Sequence, residues 1–338
     1  MPAHSSARDV LTAALDGLRS AEALGDAPSA SADRRERVER ALDQLSLDVA
    51  PFASPGGGHD DLVRDPACED LRDLLRQSHL AERMLTWPRG YPGDFETIDL
   101  FYAGHATGHS ELGRLVDAWI RAQAGPRALL RRPANLARVL SDRAAASGGG
   151  ELRVLVVASG PVAEVFEFLE RAPRREVRFT CLDVDEDAHA LVRRRAQERG
   201  LGERIETVTR NVLRLASGRE ALDLPPQHLT YSVGLNDYLD DRHSISLLNW
   251  MHGTLAPGGS ALVGNLRRGA EADFASTILN WPLAYREPED LERLFAASAF
   301  GPAFGHWTDD ATGRQLYFEA KASSFAREAS AASSGSSR

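Results

Sequence analysis

From residue 152 onward the sequence alternates short apolar runs with amphipathic ones, and that alternation leaves few folds open. The runs "LRVLVVA", "VRFTCLDV", "IETVTRNV", "HLTYSVGL" and "SALVGNL" read as strands, with "AEVFEFLERA", "EDAHALVRRRAQERG" and "SISLLNWMHGTL" among the helices between them. Apolar strands joined by helical crossovers predict an α/β fold: a doubly wound, mainly parallel, Rossmann-like sheet. Farther on, "PAFGHWTDD" and "RQLYFEAK" read as two strands joined by a turn at 311–313, so the sheet is expected to carry an antiparallel C-terminal edge.

The first 150 residues have a different texture. Residues 1–61 carry helical patches such as "ARDVLTAALDGLRSAEAL" and a breaker, "SPGGGHDD", and read as a partly helical, flexible N-terminal segment. Within 62–145, "DLVRDPACEDLRDLLRQSHLAERML" and "SELGRLVDAWIRAQA" place apolar residues at helical spacing, which predicts an α-helical domain. The glycines of "AAASGGGE" at 144–151 mark the expected linker into a sheet domain over 151–321. The tail over 322–338, rich in Ala and Ser, reads as disordered.

Composition excludes some function classes. The net charge of −9 repels a phosphate backbone, so no nucleic-acid partner is expected. No run approaches the ~20 apolar residues that span a bilayer, and no basic-then-apolar leader opens the chain, so the expectation is a cytoplasmic protein without a membrane partner. Cys68 and Cys181 are too few and too far apart for a disulfide scaffold. His105 and His109 stand four apart in a glycine-broken stretch without a third ligand, so no metal is expected.

The first strand, loop and helix, "ELRVLVVASGPVAEVFEFLE", form a nucleotide-binding geometry short of glycine. Against the G-x-G-x-x-G fingerprint the loop reads Ala158, Ser159, Gly160, Pro161, Val162, Ala163, and only the middle glycine survives. Pro161 at the helix start removes an N–H that would face a phosphate, and Glu164 puts a carboxylate into the first turn. An anionic pyrophosphate loses a donor and meets a like charge. A phosphate-free cofactor with an adenosine and a cationic centre, S-adenosylmethionine, suits the loop better. Asp183 closes the second strand 23 residues after Gly160, where a carboxylate accepts ribose hydroxyls, and Asn211 at the end of the third strand can bond an adenine edge.

Over residues 151–321 the sequence resembles class I S-adenosylmethionine-dependent methyltransferases, including "LAPGGSALVGN" at 255–265 as the turn into the fifth strand. "WPRGYPGDFETIDLFY" at 87–102, "YSVGLNDYLDD" at 231–241 and "ASGPVAE" narrow the resemblance. They point to a bacterial subgroup described as extracellular-factor 3-hydroxypalmitic acid methyl ester biosynthesis proteins. The resemblance implies that Ala158, Ser159, Gly160 and Glu164 meet the methionine end of the cofactor, Asp183 the ribose, and Asn211 with Val212 the adenine. It also implies an aromatic residue where this chain has Asn236, beside the methyl group, so the acceptor pocket departs from the subgroup's.

In "RGYPGD", Gly90, Pro92 and Gly93 make a rigid turn that aims Arg89, Tyr91 and Asp94, either as a lid over the cofactor or as a helix-connecting turn capped by the aspartate. Tyr91, Tyr102, Tyr231, Tyr238 and Trp281 are the aromatic candidates for a ring against the sulfonium. The expected activity is methyl transfer to a small molecule of specialised metabolism. A carboxylate acceptor needs no base, whereas an amine or hydroxyl would use Asp237, Asp94 or Tyr238. Two alternatives stand beside it. A cyclase or lyase would release methylthioadenosine and a cyclic amino acid, and a regulatory protein would bind the cofactor without turnover.

Overall fold

A computed structural model describes residues 6–24, 28–54, 56–173, 176–302, 304–309 and 311–322. Among them the chain forms two compact units: Met1–Leu130 with Arg268–Leu283, and Arg131–Arg267 with Ala284–Arg338. The tail expected to be disordered lies, from residue 323, outside the described residues.

The first unit is helical. Ser6 and Asp9 close a capping box that starts the helix Ala7–Glu22, and Leu11, Leu15 and Leu18 recur at helical spacing along its buried face. They share one core with Val38, Leu42 and Leu45 of the helix Pro28–Asp48 and with Leu71, Leu75, Leu80 and Trp119 farther along. Where they are described, residues 1–61 thus contribute their apolar stripe to the core of the helical unit.

The same core takes Phe274, Ile278, Leu279 and Trp281, from a stretch expected to belong to the sheet domain. Arg72 fixes that stretch by donating from Nε to the Ile278 carbonyl at 3.0 Å and from Nη2 to the Thr277 carbonyl at 2.9 Å. Trp87 Nε1 adds a bond to the Asn280 carbonyl at 3.0 Å. Buried apolar side chains assign residues 268–283 to the helices, and chain order alone could not.

The second unit holds a seven-stranded sheet: β1 Leu152–Val157, β2 Val177–Asp183, β3 Ile205–Thr209, β4 Gln227–Val233, β5 Leu255–Leu266, β6 Phe304–Thr308 and β7 Gln315–Lys321. Their order is β3-β2-β1-β4-β5-β7-β6. The first five are parallel, and β7 runs antiparallel to both β5 and β6, as the two C-terminal runs predicted. Val154 of β1 pairs with Phe179 of β2 on one side and with Leu229 of β4 on the other. The winding thus reverses between β1 and β4, and in such a sheet ligands bind beyond the carboxyl ends of the strands at that reversal.

The division between units falls inside the helix Ala124–Ala146 rather than at the glycine linker after it. The reason is burial: Leu136, Ala137, Leu140 and Ala144 pack on β1 and β4 side chains, so the later turns of this helix cover the sheet. Pro133, which cannot donate to the turn before it, lies just past the division.

Candidate functional site

Three chain segments lie beyond the carboxyl ends of β1, β4 and β3, with Asp183 closing β2 among them. The first is the loop after β1. Ala158, Gly160 and Val162 all adopt positive φ, at 52°, 55° and 46°. Ala158 and Val162 are two of the four described non-glycine residues in that region, and each costs of order 1–3 kcal/mol there, most severely for a β-branched side chain. Strain concentrated in one loop persists only where surrounding contacts hold it. Ser159 N donates to the Leu182 carbonyl at 3.1 Å, and Gly160 N donates to Asp183 Oδ2 at 2.8 Å.

Asp183 therefore does a task that sequence reading missed: it ties the loop to the end of β2. Its Oδ1 also accepts from Asp185 N at 3.0 Å. Each carboxylate oxygen keeps further acceptor capacity, so ribose hydroxyls remain compatible with this arrangement. Beside it, Val184 is 55 % exposed, a large apolar side chain laid open at the strand end where a flat base can cover it. Ser159 is buried, yet its Oγ has no hydrogen-bond partner among the described residues. Such an orphan is rare in a folded interior and fits a polar ligand group arriving at the loop. A side chain added at Gly160 would meet open space.

The helix after the loop begins at Ala163, with Val162 as its left-handed N-cap. Pro161 thus sits two residues before the helix, in the turn, and its missing N–H is not one of the helix's own donors. Glu164 does lie in the first turn, but it points inward. Tyr231 of β4 donates its hydroxyl to Glu164 Oε1 at 2.8 Å, and burial pushes the carboxyl pKa above its ordinary value. The expected like-charge repulsion is correspondingly weakened, because a raised pKa favours the neutral acid.

The second segment is the turn after β4. Gly234 has φ +119°, and a Cβ there would lie 2.8 Å from Arg132 Nη1, so glycine is what lets the guanidinium approach. Arg132 is itself buried, and its charge acts on both Glu164 and Asp237. Asp237 is 4 % exposed, and its Oδ1 accepts from Leu266 N at 2.7 Å. Burial raises its pKa from 3.8 to about 7, against the pull of that bond and of Arg132 and Arg286. Such a carboxyl can take up or release a proton near neutrality.

Asn236 is buried as well. Its Nδ2 donates to Asn265 Oδ1 at 3.0 Å, and that oxygen also accepts from Arg286 Nη1 at 2.9 Å. The position where the resemblance implies an aromatic ring is thus occupied by a member of a buried polar network. Asn265, Arg132 and Arg286 had no place in the sequence reading; the signal for them was faint, a polar residue inside an apolar strand and two arginines among many.

The third segment follows β3. Asn211 caps the helix Val212–Ala216, its Oδ1 accepting from Leu213 N at 2.9 Å and Arg214 N at 3.3 Å. Val212 is buried against the sheet. The capping task engages the amide oxygen and leaves Asn211 Nδ2 outside the cap.

The remaining candidates divide. Tyr238 is 37 % exposed and follows Asp237 in the same turn. Tyr91 is half-buried in the helical unit, and Trp281 lies in that unit's core. Asp94 is buried as the N-cap of the helix Phe95–Tyr102: its Oδ1 accepts from Glu96 N, Thr97 N and Arg83 Nη2, and its Oδ2 from Thr97 Oγ1. His109 meets Glu82 and His105 its own loop carbonyl, and no described residues group as a metal site.

No family model and no curated protein matches the sequence. Solved structures do match. A possible exported protein from Bordetella parapertussis is 18% identical with a TM-score of 0.52, over 96% of this chain and 99% of that one. The CMeT domain of a citrinin polyketide synthase is 16% identical with a TM-score of 0.50, over 93% and 89%. The S-adenosylmethionine-dependent methyltransferase SibL in its apo form is 16% identical with a TM-score of 0.47, over 93% and 96%. The fold shared with these structures is a doubly wound, Rossmann-like sheet, here with an antiparallel C-terminal edge. Among the described residues no helix is long and apolar enough to cross a membrane.

Proposed function

We propose that the chain is an S-adenosylmethionine-dependent methyltransferase acting on a small molecule in the cytoplasm, within the subgroup that its motifs resemble. The observation that carries this reading is the strained loop tied to Asp183, with a buried, unpartnered Ser159 Oγ and an exposed Val184 at the same strand ends. These residues fit the cofactor. Asp183 would accept the ribose hydroxyls, Val184 cover the adenine face, and Asn211 Nδ2 with Val212 meet its edge. The loop Ala158–Gly160 and Glu164 would hold the methionine end. When bound, the cofactor supplies a methyl group activated by the sulfonium.

What the chain's residues contribute is placement, dryness and one proton site. Asn236 and Asp237 lie in the turn after β4, and the raised pKa of Asp237 suits a group that takes a proton from a hydroxyl or amine acceptor as the methyl arrives. A carboxylate acceptor would use the same site without that proton transfer. Tyr91 and Tyr238 are the remaining acceptor-side candidates, and a lid role for "RGYPGD" stands as part of this proposal. Asp94 has a different task, because its oxygens are taken up in capping and in holding Arg83.

The test is to incubate purified protein with S-adenosylmethionine, alone and with acceptor pools, and to identify the nucleoside by mass. Adenosylhomocysteine supports methyl transfer. Methylthioadenosine overturns it in favour of cyclisation, and tight binding without either product makes the chain a cofactor-binding regulator.

A further inference from the structure

Arg286 is a heavily engaged side chain beside the turn after β4, although no sequence motif marks it. It is 5 % exposed. Nη1 donates to the Asn236 carbonyl at 2.8 Å and to Asn265 Oδ1 at 2.9 Å, while Nη2 donates to the Leu239 carbonyl at 2.6 Å and to Asp241 Oδ1 at 3.0 Å. One rigid guanidinium therefore grips the backbone on both sides of Asp237. Its main chain joins in: Arg286 N donates to the Leu266 carbonyl at 3.1 Å, and Leu266 N donates to Asp237 Oδ1. Two residues earlier, Ala284 N donates to the Asp237 carbonyl at 2.6 Å, and the Ala284 carbonyl accepts from Asn265 Nδ2 at 2.9 Å.

We infer that Arg286 is a positioning residue for Asp237, locking the turn that presents this carboxylate to the acceptor. The inference deepens the methyltransferase reading and rests on it. The geometry is specific to arginine, since four acceptors in two directions match a planar fork and no ammonium spans them. The charged groups acting on Asp237 come from two elements: Arg132 on the helix Ala124–Ala146, and Arg286 in the stretch entering the helix Pro288–Ala296. Asp241, at the start of the helix Asp241–Thr254, faces Arg286 and balances its charge. Asp237 Oδ1 is held by a backbone N–H, so its direction depends on the register of Leu266 against the turn, and Arg286 sets that register from both sides.

The experiment follows the carboxyl of Asp237 directly. Protein labelled with 13C at aspartate Cγ is titrated as wild type, Arg286→Ala and Arg286→Lys, the Asp237 signal being identified by its loss in Asp237→Asn. Cofactor affinity, thermal unfolding and turnover are measured in parallel. The wild-type midpoint should lie near 7. Arg286→Ala should raise it by roughly one unit, because an opposing charge is lost. Arg286→Lys keeps the charge but loses the fork: its midpoint should move less, while kcat still falls about tenfold at unchanged cofactor affinity and nearly unchanged melting temperature. If Arg286→Ala does not fold, Arg286→Lys carries the test alone. Wild-type kcat with an unmoved midpoint in the variants that fold overturns the inference. Full turnover in Asp237→Asn overturns the acceptor-side role of Asp237 instead, and leaves the titration shift still readable.

Discussion

Asp117 and Asp237 are both buried carboxylates, one in the helical unit and one beside the sheet, and their surroundings give them opposite roles. Asp117 is saturated. Its Oδ1 accepts from Ser78 Oγ at 3.0 Å and Leu80 N at 3.1 Å, and its Oδ2 from Arg121 Nε at 2.6 Å, while Arg121 spends its other nitrogens on the Phe101 and Leu100 carbonyls. Asp237 accepts one backbone bond, feels two arginine charges, and still has its pKa raised to about 7. A satisfied buried ion pair fixes a helix junction. An under-satisfied buried carboxyl stores a titration near neutrality, which is a resource for chemistry and a cost to folding.

Substituting both sharpens that contrast most. Asp117→Asn should cost about 3 kcal/mol of stability, since it leaves the Arg121 guanidinium buried without its charge partner, and should leave cofactor affinity unchanged. Asp237→Asn should lower turnover on a hydroxyl or amine acceptor by about 100-fold or more, with no loss of melting temperature at pH 8. The sign follows from linkage. A carboxyl whose folded pKa lies near 7 and unfolded pKa near 3.8 binds a proton preferentially in the folded state, so its ionisation costs stability as pH rises through that window, and the neutral amide escapes the cost. Chemical denaturation at pH 5 and pH 8 checks this: a wild type that gains stability between the two pH values relative to Asp237→Asn would contradict it.

The next effect concerns the loop. Asp183→Ala should weaken S-adenosylmethionine binding by about 2 kcal/mol, because it removes the tether on Gly160 N and, in the proposed reading, the ribose acceptor. Calorimetry showing unchanged affinity would place the cofactor elsewhere. Asp183→Asn separates the two tasks: it keeps an acceptor for Gly160 N and loses the charge-assisted bonds.

A smaller effect is expected in "RGYPGD". Asp94→Asn should lower stability by about 1 kcal/mol through a weaker cap and a weaker hold on Arg83. Tyr91→Phe tests the lid: a tenfold loss of turnover at constant melting temperature keeps it, and normal turnover removes it.

The smallest lies at His189, fully buried on the helix Glu186–Glu198 with Nδ1 against Thr209 Oγ1 and Nε2 unpartnered among the described residues. Burial holds its pKa below the ordinary 6.5. The unfolded chain therefore takes up the proton first as pH falls below 6.5, and stability contributed by the neutral ring is lost there. His189→Gln should flatten that acid decline in urea midpoints between pH 7 and 5.

The sequence by itself determined the strand and helix alternation, the antiparallel C-terminal edge and the glycine-poor loop, because each is written in local periodicity and turn chemistry. It also named Asp183, since an acid closing a strand is visible in one dimension, and Asp237, through the motif "YSVGLNDYLDD". The tertiary structure alone decided what those acids do. Asp183 ties down a strained loop because Gly160 N returns to it across 23 residues, and Asp237 shifts toward neutrality because the fold buries it, against the opposing pull of Leu266 N and of Arg286 from far along the chain. The same holds for residues 268–283, whose apolar side chains complete the helical core, and for the later turns of Ala124–Ala146, which cover the sheet. Burial and long-range partnership set a carboxylate's proton affinity and a segment's allegiance, and neither has a local signature in sequence.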